Sequence, residues 1–176
     1  DYDIPRSIGQ IRSFFGNIGV LIRAYTFIKT LGNTGLREMS ETAVVNANYL
    51  KKKLEDHFFV PFVDQYCMHE VLISDENLLT DHISTMDMAK GLIDAGFHPP
   101  TVYFPLIVKG AMLIEPTETE SRLTLDQFVS AMLDLKKRDS SEFQKYPINS
   151  YVGRVDEVTA ARKPVLKWES PASEED

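Results

Sequence analysis

Two short apolar segments, Thr101 to Phe104 and Ala111 to Glu115, are separated only by a brief connection that turns around Gly110. Strands joined so closely have to run antiparallel, because a parallel crossover takes a dozen or more residues. Two further strand candidates come earlier, Phe58 to Val63 and His69 to Ser74. Pro61 inside the first removes a ladder donor, which confines that segment to a sheet edge or denies it strand geometry. Residues Thr85 to Ala95 read as a helix that opens on Ser84 and Asp87 at capping-box spacing and closes at Gly96, a residue free to turn left-handed. A second helix, Thr124 to Arg138, has Thr124 and Gln127 at the same spacing, an apolar face of Leu125, Phe128, Val129 and Met132, and Lys136-Lys137-Arg138 at its end. A short helix, Asp156 to Arg162, comes last. The order strand, strand, helix, strand, strand, helix predicts an α+β domain, its sheet mostly antiparallel and its helices laid on one face.

The part before this domain has a different character. Residues 1–17 mix Pro5, Gly9, Gly16 and Asn17 with Ile4, Ile8, Ile11, Phe14 and Phe15, which predicts an irregular packed segment. Ile18 to Leu31 then reads as a helix whose polar residues, Arg23, Thr26, Lys29 and Thr30, form one narrow stripe in an otherwise apolar surface. A surface helix needs one apolar face; one that is apolar nearly all round is covered on several sides. It is either a central core helix or, the favoured reading, a helix packed on chain or subunit beyond this sequence. The next helix, Gly35 to Asp56, shows Leu36, Met39, Ala43, Ala47, Leu50 and Leu54 at steps of three and four. Asn33 or Thr34 is placed to cap it, and Lys51, Lys52 and Lys53 near its end read as a solvated run.

Composition narrows the function classes. At 176 residues, 43% apolar and 26% charged, the chain can build one ordinary core. The net charge of −7 argues against nonspecific nucleic-acid binding. No apolar run approaches the roughly 20 residues of a membrane span, and the start has no signal-peptide character. The single cysteine, Cys67, precludes an internal disulfide and fits a reducing compartment such as the cytoplasm. Neither GxGxxG nor GxxxxGK[ST] occurs, so no glycine-rich phosphate loop is present.

Candidate chemistry centres on two places. His69-Glu70 begins like a zinc-protease helix, but the second His would fall at Ile73. Cys67 and His69 would share a face of a strand, which predicts a buried thiol beside a hydrogen-bonded His; His57 and His82 read as loop or helix-end residues. In His98-Pro99-Pro100-Thr101 two prolines stiffen the backbone, so the imidazole is presented with little entropy left to lose. The plain alternative is a rigid connection whose His bonds a nearby carbonyl. Glu115-Pro116-Thr117-Glu118 ends a strand with an acidic residue after an apolar run, so Glu115 is expected to be partly buried and to need a cation or amide donors.

Several blocks carry a family resemblance: SIGQIRSFFGNIGVLIRAYTFIKTLG (7–32), Asn46-Ala47-Asn48-Tyr49-Leu50, His69-Glu70, GFHPPTVYFPLIVKGAMLIEPTETES (96–121) and AARKPVLKW (160–168). Over residues 4 to 168 the chain resembles the C-terminal part of the glycine cleavage system P-protein, the decarboxylating glycine dehydrogenase, in particular the second subunit of its two-chain form. Where that family often has a basic residue before the His-Glu pair and Phe after it, this chain has Met68 and Val71.

The resemblance implies the small C-terminal domain of an aspartate-aminotransferase-like fold (pyridoxal-phosphate fold type I). Residues 1–33 would be an irregular segment and linking helix to a large cofactor domain, 34–168 the small domain, and 169–176 a disordered acidic tail. It also implies glycine decarboxylation with transfer of the aminomethyl group to the lipoyl arm of the H-protein. The cofactor, pyridoxal phosphate, would be bound by the large domain, because the family's lysine lies in an upstream His-Lys segment. Lys29, Lys51 to Lys53 and Lys109 do not match it, so this chain alone is expected to be inactive and to hold neither cofactor nor metal. His98, Thr101, Glu115 and Thr117 would face the substrate side, with His69 and Glu70 in support. The implied partners are the first P-protein subunit, the lipoyl-bearing H-protein and glycine, in an oligomer with no nucleic acid and no membrane. Two other readings stay open. One is a non-catalytic interaction or ligand-binding module on the same scaffold. The other is the small domain of another pyridoxal-phosphate enzyme, whose carboxylate clamp could only be Arg122.

Overall fold

A computed structural model describes residues 5–9, 16–78 and 81–167. The expected tail at 169–176 and much of the expected irregular segment before Gly16 lie outside the described residues.

Helix α1 spans Ile18–Leu54. It starts at Asn17, whose side chain accepts from the amides of Gly19 and Val20. The two helices expected from the sequence meet within it at Gly32, where φ 62° and ψ −172° break the helical geometry. That backbone region is all but closed to residues with a Cβ, so glycine makes the kink; the expected cap from Asn33 or Thr34 is not used. The halves differ in burial. Asn46, Ala47, Leu50, Lys51 and Leu54 are buried, whereas Ile18, Leu21, Tyr25 and Ile28 keep 68, 55, 66 and 51% of their surface exposed. The described residues do not wrap the first half, which disagrees with the central-core alternative for residues 18–31.

The sheet comprises β1 (Val71–Ser74), β2 (Thr101–Val102) and β3 (Ala111–Ile114) in the order β1-β3-β2. Both pairings are antiparallel, with Val71 opposite Ile114, Ile73 opposite Met112 and Thr101 opposite Leu113. β1 and β2 are therefore parallel to each other with β3 between them, a split β-α-β arrangement closed by α2 (Thr85–Asp94). Val71, Ile73, Met112 and Ile114 alternate onto one face and join the core; Leu72 and Leu113 on the other face are half-buried. The expected strand at 58–63 is reduced to one bridge, Phe59 to Ser74, before the chain turns at Pro61. β1 begins at Val71 rather than His69, so Cys67 and His69 are not paired on a strand face.

The capping box of Ser84 and Asp87 and the left-handed Gly96 (φ 85°) bound α2 as the sequence predicts. α3 covers Arg122–Lys136, opening earlier than expected. Its cap is Ser121, which accepts from the Thr124 amide, and not the Thr124–Gln127 pair. α4 (Ser140–Phe143) was not anticipated; α5 (Glu157–Arg162) is capped by Asp156. α2 and α3 approach closely at Gly91, where a Cβ would sit 2.6 Å from Leu135 Cδ2. Leu50, Leu54, Met88, Leu92 and Met132 are essentially fully buried, each stabilising the fold by about 1.5–3 kcal/mol relative to exposure.

Two buried polar contacts tie the pieces together. Lys51 is not part of a solvated run: it is 8% exposed, and its ammonium donates to the carbonyls of Val63 and Gln65, holding the 61–66 loop on α1. Asp87 accepts from Ser84 and from Arg154, whose guanidinium also donates to the Phe143 carbonyl. Burial pushes the Asp87 carboxyl up, but the Ser84 and Arg154 bonds outweigh it and hold the group below the ordinary Asp value. Among the described residues no helix is long and apolar enough to cross a membrane.

Candidate functional site

A cleft of about 770 Å³ opens between the C-terminal end of α2, the start of β2, the end of β3 and the start of α3. His98, Thr101, Glu115 and Thr117 all line it, together with Glu120 and Gln127. The local sequence explains how they arrive there. Gly96 turns the chain out of α2, and Phe97 anchors the exit by packing edge-on against Phe128, with centroids 5.4 Å apart and planes at 87°. His98 follows immediately and is held from behind by Pro99 and Pro100, which deliver the chain into β2. At the other side, β3 ends at Ile114, Pro116 is buried, and the turn after it is pinned to α1 by Asn46 Nδ2, which donates to the carbonyls of Thr117 (2.9 Å) and Glu120 (3.4 Å). Ser121 then caps α3.

The side chains in this cleft are open. His98, Thr101, Glu115 and Thr117 are all exposed. Glu115 is therefore not the partly buried carboxylate expected: the chain turns outward after Ile114, its carboxylate reaches water, and it needs no cation. Nor does His98 bond a carbonyl; among the described residues the side chains of His98, Thr101 and Glu115 have no hydrogen-bond partner, while Thr117 Oγ1 lies 2.7 Å from Thr119 Oγ1. Ordered backbone presenting unpaired polar groups into a concavity is what a ligand wall requires.

His69 and Glu70 do not join this cleft. They face each other at 4.0 Å, His69 largely exposed, and Glu70 lines a separate recess of about 160 Å³ with Cys67 and Leu72. Burial pushes the Cys67 thiol up, against an opposing pull from the Lys51 charge, so it is not an activated nucleophile. Asn48 secures this segment, donating to the Cys67 carbonyl at 2.9 Å and accepting from its amide at 3.0 Å. Asn46 and Asn48 were missed as site-shaping residues. Their signal was visible: two short amides, two apart, within a helix otherwise patterned for a core.

The charge of the cleft limits what it can hold. Glu115, Glu120 and His98 line it, and among the described residues no Lys or Arg does. Lys51 is committed to two carbonyls, Lys53 lies over the Tyr49 ring at 5.5 Å, and Lys136 donates to the His57 carbonyl. A phosphate between carboxylates with no cation would be repelled, and a covalent imine needs an amine within reach. The residues present do not fit the binding of pyridoxal phosphate. Arg122 is no carboxylate clamp either: it is 3.8 Å from Asp126 and stacks over Tyr49. Among the described residues no His, Cys, Asp and Glu group of three or more is arranged to hold a metal.

Residues 39–150 match the family described as glycine dehydrogenase, C-terminal domain. The chain is 50% identical over 173 residues to the probable glycine dehydrogenase (decarboxylating) subunit 2 of Staphylococcus haemolyticus, covering 97% of this chain and 35% of that protein. The protein of the same description from Staphylococcus epidermidis is 51% identical, with 96 and 34% covered, and that from Staphylococcus saprophyticus 49% identical, with 100 and 36% covered. The chain thus spans about a third of the length of the relatives it matches. With its split β-α-β sheet and a match over residues 39–150, this chain belongs to the glycine dehydrogenase C-terminal domain family.

Proposed function

We propose that this chain is the C-terminal part of a decarboxylating glycine dehydrogenase subunit 2 and supplies the substrate-side wall of that enzyme's site. The observation that carries this reading is the cleft itself: His98, Thr101, Glu115 and Thr117 line one concavity, with His98 and Glu115 unpaired and the backbone behind them fixed. The whole protein would release CO2 from glycine and pass the aminomethyl group to the lipoyl arm of an H-protein, in assembly with a first subunit. Pyridoxal phosphate, the electron sink for such chemistry, would be held by residues outside this chain, since nothing in the cleft suits its phosphate or its aldehyde. The role of these residues is then to orient a small ligand, offer hydrogen bonds to its polar atoms and keep bulk water out. The uncovered first half of α1 would lie against the cofactor-bearing part.

The test uses the holoenzyme, meaning the full-length subunit with its partner subunit and cofactor. Borohydride reduction followed by peptide mapping is expected to place the pyridoxyl-lysine outside residues 1–176, in a protein that releases CO2 from glycine when lipoylated H-protein is supplied. A reduced adduct on any lysine of this chain, or no glycine-dependent CO2 release, overturns the proposal.

A further inference from the structure

Asn46 is 9% exposed in the interior of α1. A short amide there is unfavourable twice over: Asn is a poor helix former, and a buried amide without partners forfeits its hydration. Its donor is not used within α1. Residues Thr117 to Glu120 form a tight turn closed by the Glu120 amide on the Thr117 carbonyl at 3.2 Å. Asn46 Nδ2 donates to the carbonyls at both ends of that same turn, 71 and 74 residues away in sequence. Pro116, buried just before it, leaves the backbone between Glu115 and the turn little freedom.

We propose that Asn46 is a positioning residue for the substrate wall. It never lines the cleft; it fixes the turn on α1 and so sets where Glu115 and Thr117 stand relative to the His98 segment. The inference rests on the substrate-side reading of the cleft. It also gives α1 a second task, because the helix whose first half is uncovered is the one that holds the acidic turn in place.

Two substitutions separate positioning from packing. Asn46→Asp keeps the size but turns a second oxygen toward two carbonyls; Asn46→Leu fills similar space with no donor. In the holoenzyme either is expected to lower kcat/KM for glycine about tenfold, the scale of one or two hydrogen bonds lost at a site, with the loss falling on kcat because the wall is misplaced rather than removed. Each is combined with Glu115→Gln. If Asn46 acts through the turn, the loss it adds to Glu115→Gln is smaller than the loss it causes alone. If Glu115→Gln is slow but the losses add, or the Asn46 variants run at the normal rate, the Asn46 inference fails and the cleft reading stands. If Glu115→Gln itself runs at the normal rate, the cleft reading falls and this inference with it. Should Asn46→Asp not fold, Asn46→Leu carries the test.

Discussion

At the scale of single residues, Gly110 and Gly96 show how much the surroundings of a position decide. Both take positive φ, 61° and 85°. At Gly110 an added Cβ would lie 1.7 Å from Asp75 Oδ1, and Asp75 cannot withdraw, because it is buried and its other oxygen accepts from the Thr85 amide at 3.0 Å. The Gly110 carbonyl is likewise occupied, by Thr85 Oγ1 at 2.6 Å and the Asp75 amide at 3.1 Å. At Gly96 a Cβ meets nothing within 4 Å. Gly110→Ala is therefore expected to cost about 3 kcal/mol or more, through strain and overpacking together, and Gly96→Ala about 1 kcal/mol from backbone strain alone. Urea unfolding midpoints of the two variants check this; equal shifts would contradict the packing drawn around Asp75. The Gly110 turn could be anticipated from sequence. Its lock on Asp75 could not, since that contact depends on how far β3 slides along β1.

At the scale of elements, what the sequence revealed was local and what it concealed was not. Ser84, Asp87 and Gly96 bound α2 as read because caps act within one turn of the helix. The start of α3 was misjudged because Ser121 and Thr124 both offer a hydroxyl ahead of an apolar run, and the local pattern does not choose between them. Lys51 looked solvated because its partners, the carbonyls of Val63 and Gln65, come from a loop with no regular pattern. The exposure of Glu115 follows from a turn held by Asn46, which lies far off in sequence. The apolar excess of residues 18–31 was readable, and so was its consequence, a helix that the described residues leave exposed. Isolated chain is therefore expected to self-associate through this surface. Leu21→Glu with Ile28→Glu, both at exposed positions, should return it to monomer in light scattering, and a monodisperse monomer of the unsubstituted chain at high concentration would count against the account of α1.

At the scale of the whole molecule, the two incomplete surfaces belong to one explanation. A domain with a well-packed core presents an apolar helix that the described residues leave exposed and a cleft where the side chains of His98 and Glu115 have no partner among the described residues, and α1 connects the two through Asn46. Relatives about three times as long fit the proposed reading, in which the chain would be a wall and the chemistry would be anchored elsewhere. The measurement that bears on this most directly is kcat/KM for glycine in holoenzyme carrying His98→Ala, made with the cofactor's visible absorbance monitored in the same sample. A loss of about tenfold or more is expected, the scale of a lost hydrogen bond to a reacting ligand, with absorbance unchanged. Normal turnover with His98 removed, or a loss explained entirely by missing cofactor, would contradict it.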